Sequence, residues 1–312
     1  MSRLSTIRPV LVLVVALVPA AASAQAWLPD EGSFNTSFLF NDVLNKEHWL
    51  PNGDTVDVGH TRSQTYALLA SYGVTDKVMV SASLPYIVTR FWDKQGRPSH
   101  GGQPGFGVDD GDEHGSFTDL RVGVHYQLLE QPFALAPFVA YVTPVADYYT
   151  RGHAAQGRGL DELIVGFGAG KSLDPWLPRT YAQLRYSYGF VEQLQDLAHD
   201  RENINLEIGT FITARWSVSL YGAFQWTHGG VDVPTPVSSP YFLNHDALAE
   251  DEFINAGVGT GFALTPSLTA FAVYMHGLEG RNGHKMEHGL TIGFSYGYRP
   301  RAEAVLAETE EP

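Results

Sequence analysis

The chain has 312 residues, no cysteine and a formal net charge of −14. This acidity argues against a nucleic-acid partner. The lack of cysteine excludes a disulfide framework, so stability has to come from extensive backbone pairing. No low-complexity tract or break in composition divides the chain, which favours a single domain, and no motif calls for a cofactor.

The N-terminus has the pattern of a secretory signal peptide. Arg3 and Arg8 precede the apolar run Val10–Val18, and small residues follow. Cleavage is predicted between Ala24 and Gln25, because the Ala-Ser-Ala ending offers the small side chains that signal peptidase reads. Its removal takes away both arginines and changes the net charge from −14 to −16. The apolar run is about half of the ~20 residues that a spanning helix needs, so any membrane crossing is predicted to use strands.

Apolar and polar side chains then alternate in segments of strand length. From Leu120 to Leu128 one face is apolar, while the opposite face carries Arg121 and His125. Because successive side chains of a strand point to opposite faces, each such segment predicts a two-faced strand. Pro137 makes its segment the weakest, since proline cannot donate to a ladder. Twelve segments follow in order, at 34–40, 66–72, 78–88, 120–128, 134–142, 163–169, 182–188, 204–212, 218–226, 254–262, 270–275 and 290–298.

The connections between these segments alternate strictly between short and long. The short ones are predicted at 73–77, 130–133, 174–178, 213–215 and 265–267. The long ones are predicted at 45–59, 93–115, 145–159, 191–200, 228–250 and 277–286. Short periplasmic turns and long extracellular loops are typical of outer-membrane barrels, and an even strand number puts both ends on the periplasmic side.

The predicted fold class is all-β, a transmembrane antiparallel up-and-down β-barrel of twelve strands in the cell outer membrane. Residues 1–24 form the signal peptide, 25–300 the barrel and 301–312 an acidic C-terminal tail. A secreted soluble sandwich also alternates, but it would not normally place charges at mid-strand. Aromatic residues near the short turns predict a membrane-interface girdle, formed by Tyr72, Tyr126, Tyr181, Trp216 and Tyr298.

Four charged or titratable residues are predicted to line the lumen: Arg121, His125, Arg185 and Glu207. A lipid-facing arginine at the bilayer midplane costs ~2–4 kcal/mol, so these side chains are expected to face inward. Arg185 and Glu207 lie on consecutive strands, each about six residues from a short turn. They are therefore predicted to form an ion pair inside the lumen.

Three segments resemble the outer-membrane transporter family named for the meta-pathway of phenol degradation. They are YGVTDKVMVSASLPY at 72–86, SFTDLRVGVHYQLL at 116–129, and GRNGH at 280–284 with the final GLTIGFSYGY. The chain departs from that pattern in its Ser-Phe-Thr-Asp lead-in and in ending with a polar tail instead of an aromatic residue. The resemblance implies passive uptake of small solutes, aromatic or hydrophobic ones among them.

Two other functional classes stay open, a barrel hydrolase and a structural or surface-interaction barrel without transport. A hydrolase of the omptin or phospholipase kind would use rim histidines such as His228, His276 or His288, with a serine or aspartate in reach. No motif announces such a site, so no catalytic residue is assigned and the chain is predicted not to be an enzyme. A purely structural barrel predicts a lumen packed shut by side chains.

No metal ligand is assigned either, although eleven of the twelve histidines lie in or beside the long loops. Only His284 and His288 stand at a short ligand-like spacing, so polar loop filler is the favoured interpretation. The acidic cluster at 109–113 is interpreted as a solvated loop, bridged by divalent ions to lipopolysaccharide. The expected partners are the lipid bilayer, lipopolysaccharide, the barrel assembly machinery, periplasmic chaperones and a small-molecule solute.

Overall fold

The computed structural model describes residues 26–93 and 105–300. The predicted cleavage site at Ala24 and Gln25 and the tail at 301–312 lie outside the described residues. Within the described ranges, no helix is both long enough and apolar enough to cross a membrane.

The described residues form fourteen strands, which follow one another in chain order. They are β1 (Phe34–Trp49), β2 (Thr55–Val56), β3 (His60–Thr75), β4 (Val78–Trp92), β5 (His114–Phe117), β6 (Asp119–Tyr126), β7 (Ala134–Pro144), β8 (Glu162–Ser172), β9 (Thr180–Val191), β10 (His199–Phe211), β11 (Trp216–Gly229), β12 (Glu252–Ala263), β13 (Leu268–Arg281) and β14 (Gly283–Tyr298). A 3-10 turn (Phe242–Asn244) and helix α1 (His245–Leu248) lie between β11 and β12.

These strands form one closed antiparallel barrel with twelve staves. β5 and β6 both pair with β4 and are interrupted only at Thr118, so together they make one stave, while β2 is a two-residue extension beside β1. Each stave pairs with its neighbours in sequence, and β14 returns to pair with β1 from Phe34↔Tyr298 to Trp49↔Gly283. The predicted twelve-stranded up-and-down barrel is confirmed.

Side-chain burial alternates along the staves as the sequence pattern requires. On β1, Phe38 is 52 % exposed and the next residue, Leu39, is fully buried. Leu68 and Ala67 repeat the contrast on β3, with 56 % and 2 % exposed. An apolar outer face that large would be unstable in water and is stable in a bilayer.

The five short connections lie at one end of the barrel, at 76–77, 127–133, 173–179, 212–215 and 264–267. Both barrel termini lie at the same end, because Phe34 pairs with both Tyr72 and Tyr298. At the opposite end lie the longer segments 50–59, 145–161 and 230–251 and the described part of the β4–β5 connection, 105–113. The connection at 192–198, predicted to be long, has seven residues, as many as the connections at 127–133 and 173–179.

The prediction of a sixth long loop at 277–286 is wrong. β13 continues to Arg281 and β14 begins at Gly283, so only Asn282 separates the two strands. Asn282 and Gly283 have φ values of +58° and +145°. Asn-Gly is a favoured hairpin dipeptide because both residues tolerate positive φ, and this allows the strands to continue to a tight turn. β1 likewise extends to Trp49, four residues beyond the predicted loop start at Asn45.

Pro137 lies within β7 at a position that tolerates the missing donor. It stands opposite Phe167 of β8, and it lies one residue beyond the last β6 partner pair, His125↔Phe138. The missing N–H therefore falls outside the β6 ladder.

Candidate functional site

The lumen is the candidate site, and the four predicted polar residues lie on its face of the staves. Arg121 and His125 alternate with Val122 and Val124, which are 44 % and 53 % exposed on the outer face, while His125 is 7 % exposed. Glu207 is 3 % exposed between outward Leu206 and Ile208.

Glu207 is the centre of a hydrogen-bonded cluster formed by three adjacent staves. Its carboxylate oxygen Oε1 accepts hydrogen bonds from the hydroxyls of Tyr181 (2.5 Å), Ser219 (3.1 Å) and Tyr221 (3.4 Å). The other oxygen, Oε2, is buried and has no hydrogen-bond partner among the described residues. One oxygen of the buried carboxylate therefore lacks a hydrogen-bond donor among the described residues.

The predicted ion pair between Arg185 and Glu207 rests on a register that the structure does not have. Glu207 stands opposite Gln183 and Arg185 stands opposite Asn205, so the two side chains are offset by two residues along the strands. Equal distance from the short turns did not ensure equal height, because Arg179 lies beside Phe211 and not beside Thr213, with the Phe211 amide donating to the Arg179 carbonyl (3.0 Å). Glu207 is held by hydroxyls instead.

Arg185 belongs to a second cluster, on the β6, β7 and β9 wall. Its guanidinium carbon Cζ lies 4.1 Å from the centre of the Phe138 ring, within cation–π range. The His125 ring stacks on the same phenyl ring, with centroids 5.2 Å apart, and its Nε2 lies 3.1 Å from the hydroxyl of Ser81. The lumen therefore carries a cationic and aromatic cluster and a carboxylate cluster, and the two meet at β9.

Several lumen residues carry no formal charge, so a ranking of positions by charge does not find them. Tyr181 was assigned to the lipid-facing girdle, and that prediction is wrong, because its hydroxyl binds the inward Glu207. The alternation of side chains along β9 is enough to identify Tyr181 as a lumen residue, since Tyr181, Gln183 and Arg185 share one face of this strand. The other girdle residues are partly exposed as predicted, with Tyr72, Tyr126, Trp216 and Tyr298 between 37 % and 46 % exposed.

An N-terminal strap, residues 26–33, crosses the short-turn end of the barrel. The amide of Leu28 donates to Oε1 of Gln127 (2.8 Å), and Nε2 of Gln127 donates to the carbonyl of Ala26 (3.0 Å). The amide of Ala26 also donates to Gln183 on β9 (3.3 Å), while Gly32 and Gly73 pair beside β3 (2.8 Å). The strap thus runs from β9 past β6 to β3 before it enters β1.

A cavity of about 1020 Å³ lies beside this strap at the short-turn end. Trp27 of the strap and the inward residues Tyr181, Gln183 and Phe211 form part of its wall. Since Tyr181 also binds Glu207, the cavity reaches the carboxylate cluster. It is wide enough for a small aromatic molecule, and aromatic rings line it.

The long loops fold together at the opposite mouth. Asp109 accepts hydrogen bonds from the amides of His153 (3.0 Å) and Ala154 (2.9 Å), and Asp246 accepts one from the amide of Gly152 (2.9 Å). Three long loops are thereby connected through two carboxylates. Backbone amides of one loop are satisfied by charged acceptors on the other two, which orders this end of the barrel.

Buried polar groups extend this order into the barrel. The Arg158 guanidinium lies 3.4 Å from the carboxylate of Asp251, and both side chains are buried. Burial lowers the pKa of Arg158, and the nearby carboxylates oppose that shift. Burial also raises the pKa of the Tyr148 hydroxyl, which donates to Asp119 and accepts from the amide of Gly159.

A closed barrel with an apolar outer face and polar groups inside defines an outer-membrane β-barrel. The chain matches no protein-family model and no curated protein sequence. Among solved structures it is similar to an outer membrane channel from Pseudomonas putida F1, with a TM-score of 0.68 and 13 % identity over 88 % of this chain and 98 % of that one. It is also similar to the translocator domain of the autotransporter NalP from Neisseria meningitidis, with a TM-score of 0.51 and 11 % identity over 85 % and 88 % of the two chains.

Proposed function

We propose that the protein is an outer-membrane channel for passive uptake of small solutes, aromatic or hydrophobic ones among them. The observation that carries this proposal is the cavity beside the strap, which reaches the Glu207 cluster from the short-turn end. Similarity to an outer membrane channel supports the same class through the fold. The resemblance to the transporter family of the phenol meta-pathway supports the solute class.

The lining of the lumen supports an amphipathic route. Tyr181 and Phe211 provide rings that bind a solute face through offset or edge contacts, and Trp27 adds a third at the strap. Glu207 and Arg185 place opposite charges on the inner faces of neighbouring staves, offset by two residues along the strands. A small aromatic solute with one polar group fits this combination better than a sugar or a long polymer.

A hydrolase is the weaker candidate for this barrel. Nε2 of His228 lies 3.1 Å from the carboxylate of Glu202, and His276 contacts the backbone oxygen of Glu287, so neither is bonded to a serine in the part of the chain described. Ser81 does lie 3.1 Å from His125, but no carboxylate hydrogen-bonds to that imidazole among the described residues. A serine nucleophile needs a base and a group that orients it.

Planar bilayers and liposomes test the channel directly. Purified wild-type protein is expected to give discrete conductance steps, and Glu207→Gln is expected to lower cation preference because the lumen loses one buried carboxylate. Glu130→Gln, on an exposed short turn, is the matched control and should leave selectivity unchanged. Liposomes should take up phenol-sized solutes faster than a disaccharide. A wild type without conductance or solute uptake removes the channel proposal, while unchanged selectivity in Glu207→Gln removes only the role of that carboxylate.

The location and the assembly partners form part of the same proposal. Both barrel ends lie at the short-turn end, which we place in the periplasm, and the outward apolar side chains contact the lipid bilayer. The long loops then face outward toward lipopolysaccharide. Delivery would require periplasmic chaperones and the barrel assembly machinery, because the apolar outer face is exposed until insertion.

A further inference from the structure

Three histidines from distant parts of the sequence meet at the long-loop end of the barrel. His48 on β1 and His284 on β14 are paired across the strand junction that closes the barrel, and His153 comes from the loop between β7 and β8. One ring nitrogen from each lies within 4.8 Å of the other two. We call these residues the three-histidine cluster.

The distances are close to those of a metal site. Nε2 of His48 lies 3.1 Å from Nδ1 of His284. Two imidazole nitrogens bound to one tetrahedral zinc at 2.0–2.1 Å stand about 3.4 Å apart, so this pair needs to move by only a few tenths of an ångström. The third nitrogen needs a shift of about 1.5 Å at most, which a small rotation of the His153 ring provides.

The surrounding residues hold all three side chains in place. The strand register fixes the backbones of His48 and His284 opposite one another. The His153 ring stacks on buried Phe91, with centroids 4.6 Å apart, and its backbone amide is held by Asp109. The cluster is therefore largely ordered before any ion binds, which lowers the entropic cost of binding.

One positive charge, that of Lys285, adjoins the three-histidine cluster in the sequence. Lys285 follows His284 directly, but its ammonium lies 2.6 Å from a carboxylate oxygen of Glu47 and 5.0 Å from the centre of the Trp49 ring. That charge is thereby offset by a carboxylate. His153 and His284 are only partly buried, which leaves the cluster accessible from the mouth.

We propose that the three-histidine cluster binds a divalent transition-metal ion of the kind that prefers imidazole, with zinc, copper and nickel as the class. Neutral imidazoles supply three nitrogen ligands, and water completes the coordination from the mouth. The ion would connect the loop at 145–161 to the β1–β14 junction. This proposal does not depend on whether the barrel conducts solutes. Sequence spacing could not reveal it, because its ligands stand 105 and 131 positions apart.

Metal titration of the folded, full-length mature protein, without an affinity tag, tests the proposal. Calorimetry with Zn²⁺ should give one site per chain, and Co²⁺ should give the intense visible bands of a four-coordinate ion. His153→Ala and His284→Ala should each weaken Zn²⁺ binding at least about tenfold, the lower bound for the loss of even an outer-shell partner. His228→Ala is the matched control, because its histidine is also in the mouth region and lies outside the cluster.

A second measurement separates binding from folding. Arg151 is exposed and lies two residues before His153, so Zn²⁺ should slow trypsin cleavage after Arg151 in wild type and not in His153→Gln. Unchanged heat-modifiable gel migration would show that each variant is folded. The proposal is overturned if folded wild type binds no Zn²⁺ at one equivalent. It is also overturned if His153→Ala binds Zn²⁺ as tightly as the control His228→Ala does.

Discussion

Gln127 is expected to control how firmly the N-terminal strap closes the short-turn end of the barrel. Its side chain is 4 % exposed and makes two hydrogen bonds to the strap backbone, at Leu28 and Ala26. A net value of about 1 kcal/mol per hydrogen bond gives a loss of about 2 kcal/mol in Gln127→Ala. This corresponds to a population of undocked strap about thirtyfold larger.

A single introduced thiol measures that population. Ala26 is 1 % exposed and the chain has no cysteine, so Ala26→Cys provides a unique reporter that is protected while the strap is docked. Its maleimide labelling should accelerate up to about thirtyfold when Gln127→Ala is added. Gln225→Ala is the matched control, since Gln225 is equally buried but bonds to the carbonyl of Asp251. If Ala26→Cys is labelled at the same rate with and without Gln127→Ala, Gln127 is not the residue that retains the strap.

Three further results are expected. Gly166→Ala should lower the free energy of unfolding by about 1–3 kcal/mol in urea titrations, because a Cβ there meets a backbone oxygen at 2.2 Å, whereas Gly297→Ala meets nothing closer than 3.9 Å and should be neutral. His114→Gln should raise the pKa of Asp110 toward its ordinary value of 3.8 in an NMR titration, since the hydrogen bond from His114 is the main cause of the lowered pKa. The hydrogen bond stabilises the loop above pH ~3.8, and this stabilisation is lost as the pH falls through the lowered pKa of Asp110. An epitope inserted at Gly111 should bind antibody on intact cells, and labelling only after lysis would invert the proposed topology.

The barrel was predictable from sequence because bilayer and lumen impose a period of two on every stave. A charged residue such as Arg121 has to face the lumen, and an apolar residue such as Ile208 can face the lipid. This alternation predicts the number and the order of the staves. Asn282 shows what the same pattern misses. Polar residues such as Glu279 and His284 are typical of a loop in the sequence pattern. In the structure, a turn at Asn282–Gly283 lets the hairpin continue beyond the membrane, where the outer face no longer has to be apolar.

The site was predictable only in part, because the contacts between side chains of neighbouring strands depend on the strand register. Sequence parity placed Glu207 and Arg185 on the inner face but could not set their relative height, which depends on the register between β9 and β10. Tyr181 escaped notice because a tyrosine near a turn fits both a girdle and a lumen. To predict the three-histidine cluster, one would need to know how β14 pairs with β1 and where the loop with His153 folds. The spacing of histidines in the sequence gives neither.

The junction between β1 and β14 also sets the order in which the molecule can be completed. Every other pairing joins consecutive staves, but this one brings together Phe34 and Tyr298, 264 positions apart. Closing so large a loop costs about 5 kcal/mol of chain entropy, and it cannot begin until the last stave has been synthesised. Before that moment the chain has two open sheet edges, each able to pair with a second copy. The final stave therefore acts as a checkpoint, because a chain truncated before Gly283 retains every hairpin up to β12–β13 and still presents both edges to aggregation.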